Sequence, residues 1–248
     1  MQVKAGVRHA IVDPKLLQEW EDALNPEVLR PRLIRASLFI AAFELLKEII
    51  VQRIRDFFTD GWNEKGDIVS SDYTTDVLGR NRSPTHASLD WLRERGAISD
   101  ADIATFGRVK NCRNALAHGL QKVALAEGLP VDFDARFQEM VALLKKIELW
   151  WIVEVEIPTN PDFDHKEIDY DGILPGHVMM LSLLYDVGLS SDAESKKYLE
   201  EFRRRVVKQG VPNNGLHQTG RGGAVASRPV VEARPAGEAE CCAGAVRA

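Results

Sequence analysis

The stretch "VKNCRNALAHGL", Val109 to Leu120, places Arg113, Asn114 and His118 within about one and a half helical turns. Guanidinium offers a planar fork of donors to anionic oxygens and keeps its charge near neutrality. Imidazole gives or takes a proton in the same pH range. On an ideal helix five residues at about 100° each leave Arg113 and His118 roughly 140° apart, so the two do not share a face. Convergence therefore requires the helix to loosen before His118, or the two groups to meet in some other way. Gly119 is expected to supply the left-handed position that ends a helix and lets His118 turn. The plainer reading of the same residues is a helix stopped at His-Gly, with Arg113 paired to a nearby acid.

The elements that must hold these groups read as helices. Asp13-Pro14 opens a short helix that runs to about Leu24, and Asn25-Pro26 with Pro31 is expected to reset the chain. "RLIRASLFIAAFELLKEIIVQRIRDFF" then carries apolar residues at Leu33, Ile34, Leu38, Ala41, Leu45 and Ile49, helical spacing ended by Asp60-Gly61. From Trp62 to Pro84 the pattern lapses, leaving a long connection in which "SDYTTDVL" is a candidate short helix. Ser83-Pro84 caps a compact helix closed by Gly96. Ser99 and Asp102 form a shortened capping box for the next helix, whose apolar residues Ile103, Phe106, Val109, Cys112 and Leu116 fall at steps of three and four. That helix carries Arg113 and His118, flanked by Arg108 and Lys110. "DARFQEMVALLKKIELWWIVEVEIP" is a further helix ending before Pro158, with "WIVEVEI" also readable as a strand that has no partner. "GHVMMLSLLYDVG" and "DAESKKYLEEFRRRVVKQ" complete six or seven helices without a convincing hairpin. The expected fold is all-α, an elaborated helical bundle over residues 1–208.

Composition narrows the chemistry. The chain has 248 residues, 45% of them hydrophobic, enough for a sizeable core without staples. Three cysteines, Cys112, Cys241 and Cys242, make neither an even disulfide framework nor a zinc-ligand spacing, which points to a reducing, cytoplasmic setting. No segment approaches the ~18 apolar residues of a membrane span, and the first residues do not read as a signal peptide. With 32 Lys plus Arg against 37 Asp plus Glu, net charge −5, any phosphate-binding surface must be a local patch.

Other motifs are weaker. With Glu167 as position one, Asp169, Asp171 and Gly172 fall where a calcium loop needs them, but position twelve is Val178, not a bidentate glutamate. The loop is expected to be solvated, His165 included, and no metal site is expected. Phosphate-loop, nucleophile-elbow and H-E-x-x-H motifs are missing, so no cofactor is expected. His86 and Trp91, on the preceding helix, read as packing or surface residues. Residues 209–248 are rich in Gly, Ala, Pro and Arg, contain no aromatic residue, and are expected to form a disordered C-terminal tail. That tail resembles translated recombination sites of the kind that end mobile gene cassettes.

"ISDADIATFGRVKNCRNALAHG", with the helix "THASLDWLRERGA" before it, resembles the signature of the HEPN superfamily, small helical proteins whose motif is Arg, a polar residue, a few positions, then His. The resemblance spans about 35 residues, within a surrounding helical pattern that agrees with it over 1–208. It implies a bundle that forms a homodimer around a shared cleft and, in many members, a metal-independent endoribonuclease acting as a toxin or in phage defence. Carried over, Arg113 and His118 are the catalytic pair, Asn114 supports them, and Arg108 and Lys110 are cations within reach of an RNA substrate. An antitoxin, where there is one, would be encoded separately. Members with a degraded motif only bind a nucleotide, RNA or protein partner, and the acidic net charge favours that alternative.

Overall fold

A computed structural model describes residues 13–125 and 128–208. The chain divides into two units, Met1–Phe202 and Arg203–Ala248, and of the second only 203–208 are described. The expected tail, 209–248, lies outside the described residues.

Among the described residues the fold is all-α apart from one small hairpin. Helix α1 (Pro14–Leu24) starts where expected, its Asp13 Oδ1 accepting from Lys15 N at 2.9 Å. The long α2 (Pro26–Phe57) corrects the expected break at Pro31, which lies inside the helix. A proline there removes only the hydrogen bond back to residue 27, in the exposed first turns, and the cap at Asn25 holds the start. The buried stripe of α2 is Ala36, Phe39, Ala42, Phe43, Leu46, Ile49, Ile50 and Ile54. This lies mostly one residue on from the expected stripe, and Ala41 is exposed. The helix is apolar nearly all round, so periodicity alone leaves its rotation open.

Asp60-Gly61 does not stop α2 but lies within a hairpin. Strand β1 (Thr59–Asn63) pairs antiparallel with β2 (Gly66–Val69), with Trp62 opposite Asp67 and Asn63 opposite Gly66. Gly66 at φ +112° allows the tight reversal, and Arg55 ties the hairpin to α2 through Asp67 at 2.9 Å. Its one large apolar side chain per strand, Trp62 and Ile68, is exposed, so no alternating pattern announces it. The candidate helix in "SDYTTDVL" is present as a π-helical turn, Tyr73–Val77, which buries both its terminal residues.

Helix α3 (Pro84–Glu94) ends at Gly96, whose φ of +76° is the left-handed stop expected of it. Helix α4 (Asp100–Leu125) opens on the expected box: Ser99 N donates to Asp102 Oδ2 at 2.7 Å, and Asp102 N to Ser99 Oγ at 3.3 Å. Phe106, Val109, Cys112 and Leu116 are buried as their spacing required. Helix α5 (Phe133–Trp151) continues as a π-helical turn, Ile152–Glu156, and a short α6 (Ile157–Thr159), so "WIVEVEI" is helical and not a strand. Helices α7 (Gly176–Leu189) and α8 (Asp192–Lys208) follow.

Helix α2 is the axis of the bundle and packs against α3, α4, α5 and α7. One end of the core is aromatic: Trp91 stacks on Trp151 at 6.1 Å and meets Trp150 edge-on at 6.2 Å. Trp91 is therefore a packing residue, and its indole N–H donates to Asp76 at 3.2 Å. Among the described residues no helix is long and apolar enough to cross a membrane.

Candidate functional site

Helix α4 crosses α2 so that its middle turns, Lys110 to Asn114, face the Phe43–Lys47 segment, with the first turn of α3 closing the third side. The three walls enclose a pocket of about 250 Å³. Its floor is a pair of stacked rings, Phe43 and Phe106, 5.6 Å apart at 30°. The guanidinium of Arg113 lies 5.8 Å from the Phe43 ring centre, and His86 stands edge-on to Phe106 at 6.3 Å.

The two rings thus set an arginine and a histidine around one cavity. Arg113 Nη2 donates to Glu44 Oε1, Arg113 Nη1 donates to Asn114 Oδ1 at 3.3 Å, and Lys47 approaches the other Glu44 oxygen at 3.5 Å. Arg113 Nε is buried without a hydrogen-bond partner among the described residues. Glu44 therefore occupies the guanidinium where an anionic ligand's oxygens would bind. Beside it a second cavity of about 490 Å³ shares Glu44, Lys47 and Thr85, extending the first into a groove along α2.

Arg113, Asn114 and Lys110 meet in this pocket, but two residues marked in the sequence lie elsewhere. His118 is exposed and lines a different cavity, of about 540 Å³, with Lys122 and the Gly128–Val131 segment. The roughly 140° separation inherent in the spacing thus persists within one chain. Gly119 does not adopt the left-handed conformation expected of it. Its φ is −109° and ψ 15°, a kink after which α4 continues to Leu125. Arg108, expected beside the substrate, is held away by Thr105 Oγ1 at 2.9 Å and Glu139 Oε1 at 3.3 Å, on the α5 side of the helix.

Sequence reasoning set aside one residue that the fold brings in. His86, from the first turn of α3, lines the Arg113 pocket, and its Nδ1 shares a hydrogen bond with Ser83 Oγ at 3.1 Å. The local signal was the S-P-T-H start of α3, in which a cap serine and a histidine three positions on lie at bonding distance.

Around the site the charges are mostly structural. Burial pushes Asp102 up, but hydrogen bonds from Lys146 and Ser99 and the Lys146 charge outweigh it, and its carboxyl sits below the usual range. Burial and the charge of Asp132 push the Cys112 thiol up to about 11 against a smaller pull from Arg136, as suits a packing residue on the buried face of α4. Among the described residues no three His, Cys, Asp or Glu side chains are grouped to hold a metal ion. In comparisons with models of known protein families, with curated proteins and with solved structures, the chain matches none of them.

Proposed function

We propose that this protein is a metal-independent endoribonuclease of HEPN type that cleaves RNA by attack of a ribose 2′-hydroxyl on the adjacent phosphate. The observation that supports it best is the pocket in which Arg113, Asn114 and Lys110 stand opposite Lys47 and beside an imidazole. Arg113 would release Glu44 for the non-bridging oxygens and stabilise the phosphorane as charge builds on it. Asn114, already bonded to Arg113, keeps the guanidinium in place.

Such a cleavage needs a base for the 2′-hydroxyl and an acid for the departing 5′-oxygen. His118 reaches outward one turn beyond Arg113, so a homodimer that brings His118 of a second copy against the pocket supplies the acid. The products are a 2′,3′-cyclic phosphate and a 5′-hydroxyl. A toxin or phage-defence role in the cytoplasm, with an antitoxin encoded separately, is the biological setting that the HEPN resemblance implies.

The separation of His118 from Arg113 within one chain favours a second reading, a non-catalytic HEPN-like module that binds a nucleotide, RNA or protein partner. The deciding experiment incubates the purified protein with RNA in EDTA beside Arg113→Ala and His118→Ala variants. The nuclease reading requires cleavage by the wild type and its loss in both variants. Cleavage that survives both substitutions would overturn the mechanism, and no cleavage of any RNA by the wild type would favour the binding module.

A further inference from the structure

We infer that His86 is the proton-accepting base of the Arg113 pocket, acting within a single chain on a phosphodiester held by Arg113 and Lys110. The catalytic part of this inference rests on the ribonuclease reading above; the placement of phosphate beside His86 does not.

The geometry that carries it has three parts. First, His86 and Arg113 line the same pocket, whereas His118 lines another. Second, the His86 ring is held by Ser83 Oγ at Nδ1 and by the Phe106 ring, which lies perpendicular to it. Nε2 is left with no hydrogen-bond partner among the described residues, and a base held by a third group is the arrangement general-base catalysis uses. Third, the cavity holds cations sufficient for one phosphate: Lys47 from α2 and Lys110 and Arg113 from α4, opposed there, among the described residues, by the carboxylate of Glu44. On its own helix His86 has Asp90 one turn on, and that carboxylate is engaged by Arg93 at 3.4 Å.

The step balances with the groups named. Nε2 of neutral His86 takes the 2′-hydroxyl proton as the O2′–P bond forms and the P–O5′ bond breaks. The departing O5′ takes a proton from the imidazolium of His118 in a second copy, the acid proposed above. Solvent water then returns the proton from His86 to His118. No oxidant, reductant or metal enters.

Two measurements on the full chain test this. Rates of RNA cleavage in EDTA are followed against pH for the wild type, His86→Asn and His118→Asn. A base and an acid on different residues give a bell-shaped profile. His86→Asn should cut at least ~100-fold more slowly and lose the limb on which rate rises with pH, while His118→Asn should lose the opposite limb. A His86→Asn variant that keeps its rising limb and a rate within about threefold of wild type overturns the assignment.

The second measurement needs no cleavage to occur. Inorganic phosphate and uridine 3′-monophosphate are titrated into the wild type while the imidazole nuclear magnetic resonance signals are followed. Saturable movement of the His86 signals, absent in Arg113→Ala, is expected. Movement of His118 alone, or of neither, overturns the inference whether or not RNA is cut. Saturable movement at His86 in a protein that cuts no RNA would keep the phosphate pocket and remove the nuclease reading.

Discussion

Replacing Glu44 by glutamine tests whether the Arg113 pocket is a phosphate site held shut by a carboxylate. Glu44 bonds Arg113 and lies 3.5 Å from Lys47, and its side chain is 42% exposed. A phosphate seated on Arg113 and Lys110 would lie about 5 Å from that carboxylate, where two unit charges repel by ~0.8 kcal/mol at the dielectric of water and ~3 kcal/mol at an effective value of about 20. The exposure of Glu44 places the working figure near the lower end, about 1 kcal/mol. Glu44→Gln should therefore bind RNA roughly fivefold more tightly. Fluorescence anisotropy with a labelled 2′-O-methyl oligonucleotide, which cannot be cleaved by 2′-hydroxyl attack, measures this directly. The gain should be full at about 0.05 M salt and shrink below about twofold near 1 M, where the Debye length falls to ~3 Å. Unchanged or weaker binding at low salt would refute the reasoning, because it would make Glu44 an anchor that positions Arg113 and not a stand-in for the ligand.

Three further outcomes follow from the geometry. Asp102→Ala removes one half of the α4 capping box, leaving Ser99 Oγ in place, together with the contact with Lys146 at 2.5 Å, and should lower stability at pH 7 by about 1 kcal/mol. Because the folded carboxyl titrates below its ordinary value of 3.8, this contribution is complete above that pH and is lost as pH falls through the lower folded value. Melting curves of variant and wild type should converge toward acid, and a gap that stays constant from pH 7 to pH 3 would contradict this. Gly119→Ala should keep stability within about 1 kcal/mol or raise it, since its φ is negative and an added Cβ meets nothing within 4 Å; a larger fall in melting temperature would show that the kink needs glycine. In a Cys241→Ser/Cys242→Ser background, Cys112, its thiol pushed up to about 11, should resist Ellman's reagent at pH 8 until guanidinium is added, and reaction of the native protein within a minute would count against its burial.

Much of the local structure was legible because it is written in neighbouring residues. The Ser99/Asp102 box, the Ser83-Pro84 start of α3 and the stop at Gly96 depend on side chains and backbone within about one turn, and each stands where the sequence put it. The hairpin and the rotation of α2 were not legible. A two-residue reversal with its largest apolar side chains, Trp62 and Ile68, exposed has no periodicity, and a helix apolar on most sides can be rotated by one residue without changing its pattern.

The candidate site divides along the same line. By itself the sequence determined that Arg113, Asn114 and Lys110 ride one helix and that His118, five residues from Arg113, stands on another side of it, because helical geometry sets those angles. Only the tertiary structure decided what each of them meets. The crossing of α2 and α4 brings Glu44 and Lys47 to Arg113, the docking of α3 on Phe106 delivers His86 to the same pocket, and the packing of α5 draws Arg108 away to Glu139. Those partners lie roughly 20 to 70 residues from the side chains they meet, and contact at such distances along the chain is fixed by how faces pack, which no local spacing records.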